Sequence, residues 1–237
     1  MTAQLIGVGV GPGDPELITL KAARLIEEAD VISFICNEKS QSQARKIARH
    51  ILANKESKAE IPIVMPMSED RRIANQAYDS AAQKIQQTIE AGKTVVFLCE
   101  GDPLFFGSFA YLLERLKNSV SCQVVPGISS VHAAASSLLQ PLTMLKESFC
   151  VVSGRHDENL LIDALNKHDS VVIMKAGRSR QRILKAIDIA KRTEDAQYLE
   201  YLGREGEYIQ NDISLLKEEN GPYFSLFVVT RKKRDFS

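Results

Sequence analysis

The chain has 237 residues, 44% of them hydrophobic and 25% charged, a balance that builds a folded core and excludes a disordered or fibrous chain. At roughly 100–200 residues per domain, that length suits one large domain or two small ones, and we expect two. Thirty basic against thirty acidic residues leave no net charge, which excludes a chain-wide attraction to nucleic acid or anionic lipid and leaves any anionic ligand to a local basic patch.

The opening MTAQLIGVGVGPGD lacks the basic stretch and long apolar run of a secretory signal. No segment reaches the ~18 uninterrupted apolar residues of a membrane span, so a cytoplasmic protein without a membrane partner is expected. A strand over 4–10 leads through a glycine-rich turn to a helix capped by Thr19, with Ala22, Leu25, Ile26 and Ala29 on one face, and then to a strand over 31–35. A polar helix over 41–52, a short strand over 60–64 and a long helix over 70–91 ended by Gly92 follow. Next come a strand over 94–98, the turn Glu100-Gly101-Asp102-Pro103, a helix through 111–116, a strand over 122–125 and the turn Pro126-Gly127-Ile128-Ser129-Ser130. This alternation argues for a mostly parallel sheet covered by helices, whose strand ends gather the three turns at one edge.

A small-residue helix over 131–139 and the connector QPLTMLKES precede strands over 149–153, 170–174, 197–202 and 224–230, with a hairpin expected around 203–206. The shorter and less regular spacing predicts a mixed second sheet. We therefore divide the chain into an α/β domain over 1–126 and a second over 127–237. Cys36, Cys99, Cys122 and Cys150 lie far apart in apolar stretches and are expected to be reduced core residues. The histidines are equally dispersed, so no metal site is expected. The basic run 231–234 is expected to be a solvated tail.

Three motifs carry the chemistry. Gly7-Val8-Gly9-Val10-Gly11-Pro12-Gly13-Asp14 follows a strand as a dinucleotide fingerprint would, but the third glycine falls on Pro12 or Asp14 depending on the frame. A carboxylate there would repel a pyrophosphate, so a phosphate-free cofactor fits better, unless the segment is only a tight turn. Glu100-Gly101-Asp102 offers two carboxylates and a backbone without a Cβ to a cationic or hydroxyl-bearing ligand such as S-adenosylmethionine, whereas Asp102 could equally serve as turn-former and helix cap. Ser129 or Ser130 taken alone reads as an N-cap.

In combination, GVGPGDPELIT, EGDPLFFGS and VVPGISS resemble the tetrapyrrole (corrin/porphyrin) methylases over essentially the whole chain, and within that family the precorrin-2 C(20)-methyltransferases of cobalamin biosynthesis. The resemblance implies a two-domain fold with S-adenosylmethionine in a cleft between a mostly parallel and a mixed sheet, and a homodimer. It carries over Pro12, Glu100, Gly101, Asp102, Phe105, Ser129 and Ser130 as cofactor contacts, with Met174, Leu202 and Gly203 from the second domain. Met174 could equally be a core residue ending a strand.

The implied chemistry is methyl transfer to carbon 20 of precorrin-2, or of its cobalt form, which needs alignment rather than a catalytic nucleophile. Glu100, Asp102, His132 and Tyr201 are the proton acceptors on offer; reach must choose among them, and no catalytic residue is assigned. The substrate's carboxylates call for basic side chains, for which Arg155 and the set Lys175, Arg178, Arg180 and Arg182 qualify by following strand ends, although most of them are expected to be solvated loop and helix-start charges. The competing readings are methylation of another tetrapyrrole or of a protein side chain, and a nucleotide- or NAD-binding regulatory module, against which the broken glycine fingerprint weighs.

Overall fold

The computed structural model describes residues 2–53, 58–66, 70–217 and 219–232. Lys233 and Arg234 of the expected basic tail lie outside these residues. The chain forms two compact units that divide between Ser130 and Val131.

In the first unit, β1 (Leu5–Gly9), β2 (Val31–Cys36), β3 (Ala59–Val64), β4 (Val95–Cys99) and β5 (Cys122–Val125) form one sheet in the order β3-β2-β4-β1-β5. Every pairing in it is parallel. Strands covered on both faces must be apolar on both, which is why β1 and β4 read as continuous hydrophobic or glycine runs and are buried throughout. On one face, Ile6, Val8, Ile32, Phe34, Val96 and Leu98 pack against Ala22, Leu25 and Ile26 of α1 (Leu20–Glu28). On the other, Leu5, Val31, Val95 and Phe97 meet Tyr78, Ala81 and Ile85 of α4 (Arg71–Glu90) and Phe109, Leu112 and Leu116 of α5 (Phe109–Leu116). Each fully buried Leu, Ile or Phe in these layers contributes about 1.5–3 kcal/mol. Two shorter helices, α2 (Gln43–Ile47) and α3 (Arg49–Ala53), lie between β2 and β3 in the chain.

The helix ends carry the expected signals. Thr19 accepts the Ala22 N–H, Asp70 accepts the Arg72 N–H, and Gly92 at φ +84° lets Lys93 N–H reach back to Thr88 O. The single helix expected over 41–52 is instead α2 and α3, separated at Ala48. Ala48 is fully buried, and the break lets Ala44, Ile47 and Ala48 all enter the core of an otherwise polar segment.

In the second unit, β6 (Phe149–Ser153), β7 (Ser170–Met174), β8 (Ala196–Glu200), β9 (Tyr208–Gln210) and β10 (Ser225–Thr230) form a sheet in the order β6-β7-β10-β8-β9. It is mixed as expected: β6 and β7 are parallel, whereas β10 is antiparallel to both β7 and β8, and β8 and β9 form the expected hairpin. Alternate residues serve the two faces. Val171, Ile173, Phe227 and Val229 pack with Leu161 and Leu165 of α7 (Glu158–Lys167) and Ile183 and Ile187 of α8 (Arg180–Ile189). Val172, Leu226 and Val228 pack with Val131 and Ala134 of α6 (Ser130–Ser137). The division of units follows from this, since Val131 belongs to the second core while Gly127 packs against backbone of the first sheet.

Asp169 ties the starts of β6 and β7. Its carboxylate accepts the Ser148 N–H and Oγ–H, both at 2.9 Å, and lies 3.4 Å from the Arg231 guanidinium. These bonds, with the two from Ser148 leading, hold its pKa below the ordinary carboxylate range. A carboxyl depressed on folding stabilises fully above its unfolded value of about 3.9 and loses that contribution as pH falls through its folded value. Asp169→Asn is therefore predicted to lower the melting temperature at pH 7, with the gap to wild type closing below about pH 4. Thermal melts across pH check this; a gap independent of pH would refute it.

Candidate functional site

The connections of the parallel sheet diverge between β1 and β4. The chain leaves β1 by α1 over one face toward β2, and leaves β4 by α5 over the other face toward β5. Such a switch point opens a crevice at the carboxyl ends of the two strands, and β5 is the next neighbour of β1. The three motif turns follow these three adjacent strands and meet there.

Their backbones touch. Gly101 N–H donates to Gly11 O at 2.8 Å, and Gly11 and Gly101 form an isolated bridge. A Cβ on Gly9 would fall 2.5 Å from Gly101 O and 2.5 Å from Gly127 Cα, so only glycine permits the approach. The Asp102 carboxylate locks the arrangement: one oxygen accepts Leu104 and Phe105 N–H at 2.9 and 3.0 Å, and the other accepts Gly127 N–H at 3.0 Å. Gly7 has a different role, since it leaves room for the Phe109 ring, 2.6 Å from where its Cβ would stand.

Each expected residue of the first unit falls within this cluster or beside it. Pro12 is buried in the turn after β1, Glu100 and Gly101 are half-buried, Phe105 is 37% exposed, and Ser129 is buried next to Ser130 at the start of α6. Asp102 is also the turn-former that its local sequence allowed, because both its oxygens already serve backbone donors. Asp14 is likewise engaged, accepting the Glu16 N–H to cap a short 3-10 turn over Pro15–Leu17. That turn separates the glycine segment from α1, so no helix N-terminus directly follows the strand as a pyrophosphate cradle requires. The three turns contain Asp14, Glu100 and Asp102 and no lysine or arginine. The donor set therefore fits a cationic, phosphate-free group and opposes a phosphorylated one.

Cys99 ends β4 directly beneath this cluster. Burial pushes its thiol up to about 11, with the Glu100 and Asp102 carboxylates adding to the shift against weaker backbone hydrogen bonds. It is a core residue and not a nucleophile.

The second unit has a corresponding edge. β6, β7 and β8 run in one direction, so Arg155, the pair Lys175 and Arg178, and Leu202-Gly203 all stand past their carboxyl ends. Lys175 and Tyr201 both adopt left-handed backbone, at φ +57° and +52°, which costs non-glycine residues about 1–3 kcal/mol each and is concentrated at functional sites. Arg155 and Arg178 are exposed and Lys175 half-buried. Met174 packs against the α6-side core, and Leu202, 6% exposed, belongs to that core, so its side chain is committed to packing. Gly203 is exposed, and its N–H donates to the Glu207 carboxylate. Of the proton acceptors considered, His132 lies exposed on α6 in this unit, while Tyr201 is half-buried at the edge.

Two of the basic candidates are structural. Arg180 is 8% exposed, pairs with Glu200 at 3.6 Å and donates to Glu219 O; Arg182 donates to Gly154 O and to Ser179 Oγ. Their position in the first turn of α8 turns them inward to bind loop carbonyls, where sequence order alone placed them with the exposed Arg178. Sequence reading also missed Tyr223 and Phe224. Because β10 is antiparallel, its amino end reaches this edge, where Tyr201 N–H donates to Phe224 O and the Arg204 guanidinium lies 3.9 Å from the Phe224 ring centre.

The family model for tetrapyrrole (corrin/porphyrin) methylases matches residues 4–214. The chain belongs to that family. It is 32% identical to a precorrin-2 C(20)-methyltransferase of a Sinorhizobium species over 234 residues, covering 95% of this chain and 94% of that protein. It is also 33% identical to the cobalamin biosynthesis protein CobIJ of Mycobacterium tuberculosis, covering 97% of this methylase but 46% of the relative, so the chain spans about half the length of that protein. The fold is similar to the crystal structure of the methyltransferase CobJ, with a TM-score of 0.76 at 18% identity, covering 99% of this chain and 97% of that one. It is similar too to the uroporphyrin-III C-methyl transferase from Thermus thermophilus complexed with S-adenosylhomocysteine, at a TM-score of 0.69 and 22% identity, covering 96% and 97% of the two chains.

Two substitutions test the site's construction. Gly9→Ala is predicted to lower stability by about 3 kcal/mol, because its methyl must push apart backbone rather than a yielding side chain. Asp102→Ala strands the N–H groups it serves and is predicted to cost about 1–3 kcal/mol. Denaturant unfolding measures both, and a loss under about 0.5 kcal/mol in either would show that the turns are not held as described.

Proposed function

We propose that this methylase transfers a methyl group from S-adenosylmethionine to carbon 20 of precorrin-2 or its cobalt form. The observation that carries the reading is the meeting of three glycine-containing turns at the sheet's switch point, with carboxylates and no basic side chain. The 32% identity to a precorrin-2 C(20)-methyltransferase across nearly the whole of both chains supports the choice of acceptor, and the Thermus neighbour's ligand supports the cofactor.

S-adenosylmethionine supplies an already activated methyl group on a sulfonium, so the protein's task is alignment and exclusion of water. The backbone of Gly101, fixed by Gly11 and presented without a Cβ, and the buried Pro12 and Ser129 would form one wall for the cofactor. Asp102 acts by fixing Gly127, Leu104 and Phe105 in place, and Glu100 supplies negative charge beside them. In the second unit, Met174, Leu202 and Gly203 would add further contacts, Leu202 through its main chain. Arg155, Lys175 and Arg178 would hold substrate carboxylates by charge-assisted hydrogen bonds. Tyr201, strained at the end of β8, is the acceptor of those considered that lies on this edge. We further infer that the protein works as a cytoplasmic homodimer. The thiols support a reducing compartment, all four of them being free. No helix among the described residues is long and apolar enough to cross a membrane.

Titration calorimetry with S-adenosylhomocysteine, followed by transfer from labelled S-adenosylmethionine to anaerobic precorrin-2 with and without cobalt, tests this reading. Saturable binding and incorporation of one methyl are expected. Absence of binding would overturn the cofactor assignment, and binding without transfer to either acceptor would overturn the substrate.

A further inference from the structure

The loop between β4 and α5 departs from what a solvent-facing loop would choose. It turns back on itself so tightly that a Cβ on Gly107 would lie 2.5 Å from Pro103 O and 2.6 Å from Asp102 O. Phe106, a bulky aromatic, is held in left-handed backbone at φ +56°, a conformation that glycine or asparagine would adopt with less strain. Its start is pinned by the Asp102 carboxylate through the N–H groups of Leu104 and Phe105. This strained and anchored backbone presents three consecutive large apolar side chains outward: Leu104 is 53% exposed, Phe105 37% and Phe106 43%. The rings of Phe105 and Phe106 pack edge to face, with centres 5.2 Å apart.

Strain and apolar exposure are each unfavourable in water, and the fold maintains both at the rim of the candidate site. We propose that Leu104 and Phe106 form an apolar subsite for the body of the tetrapyrrole, with Phe106 a specificity-determining residue. This rests on the functional reading above and extends it. Charge selects the part of the substrate involved. The three turns contain no lysine or arginine, so they cannot hold the carboxylate periphery, whereas the hydrocarbon face of the macrocycle matches Leu104 and Phe106. The loop's attachment to Asp102 and Gly101 places this subsite beside the cofactor wall, as methyl transfer between the two ligands requires.

Phe106→Gly removes the ring and relieves the backbone strain together, so loss of the fold does not confound its effect. It is expected to raise KM for precorrin-2 about tenfold, the cost of withdrawing most of one aromatic contact. The Kd for S-adenosylhomocysteine and the mass by light scattering should stay unchanged, and Phe106→Tyr should retain the wild-type KM. An unchanged KM in a Phe106→Gly protein that still binds S-adenosylhomocysteine and methylates would overturn the inference alone. So would an equal weakening of S-adenosylhomocysteine binding, which would place the ring on the cofactor, or a shift to lower mass with KM retained, which would place it in a subunit interface. A wild-type protein that neither binds nor methylates would overturn the functional reading as well.

Discussion

The first unit is organised by the close approach of three backbones at Gly9, Gly101 and Gly127. The strand pairing β4-β1-β5 brings their carboxyl ends side by side, but turns with side chains at these positions could not close to contact. Glycine supplies the space, and the Asp102 carboxylate supplies the cohesion by gathering N–H groups from its own loop and from the turn after β5. The half-buried Gly127 N–H would otherwise lack this acceptor. The consequence for function is a rigid surface made largely of main chain, which suits a cofactor that must be aligned rather than chemically attacked.

The second unit solves a similar problem by other means. Its mixed sheet brings the carboxyl ends of β6, β7 and β8 together with the amino end of β10, and the turns there are held by inward-facing arginines. Arg180 has the Tyr198 ring beneath its guanidinium, and burial pushes the Tyr198 hydroxyl up to about 12. These groups stay within the fold, while Arg155 and Arg178 are exposed and Lys175 half-buried past the strand ends.

Much of this was legible in the order of residues. Periodicity located every strand except the short β9, and the limits of β5, β6 and β7 coincide with those expected, because apolar β-branched runs bounded by glycine, proline or serine admit few alternatives. The departures have local physical causes. The polar segment over 41–52 divides at Ala48 because its few apolar residues must all reach one core. Arg180 and Arg182 were indistinguishable from Arg178 by position, since nothing in a basic string tells which residues will find buried carbonyls. Phe106 carried no signal of strain, because the left-handed backbone is imposed by the closing of the loop against Gly107.

The sequence by itself determined the two-domain α/β class, the strand–turn alternation, the family, and the three segments that carry its motifs, since these follow from hydrophobic period and from residue types that only certain turns accept. Tertiary structure decided which side chains are committed to the fold. Both Asp102 oxygens accept backbone N–H groups, the Leu202 side chain lies in a core, and Tyr223 and Phe224 reach the edge of the second sheet only through antiparallel pairing. Hydrogen-bond acceptance and burial depend on segments distant in sequence, here brought together by strand order, and no local pattern encodes them.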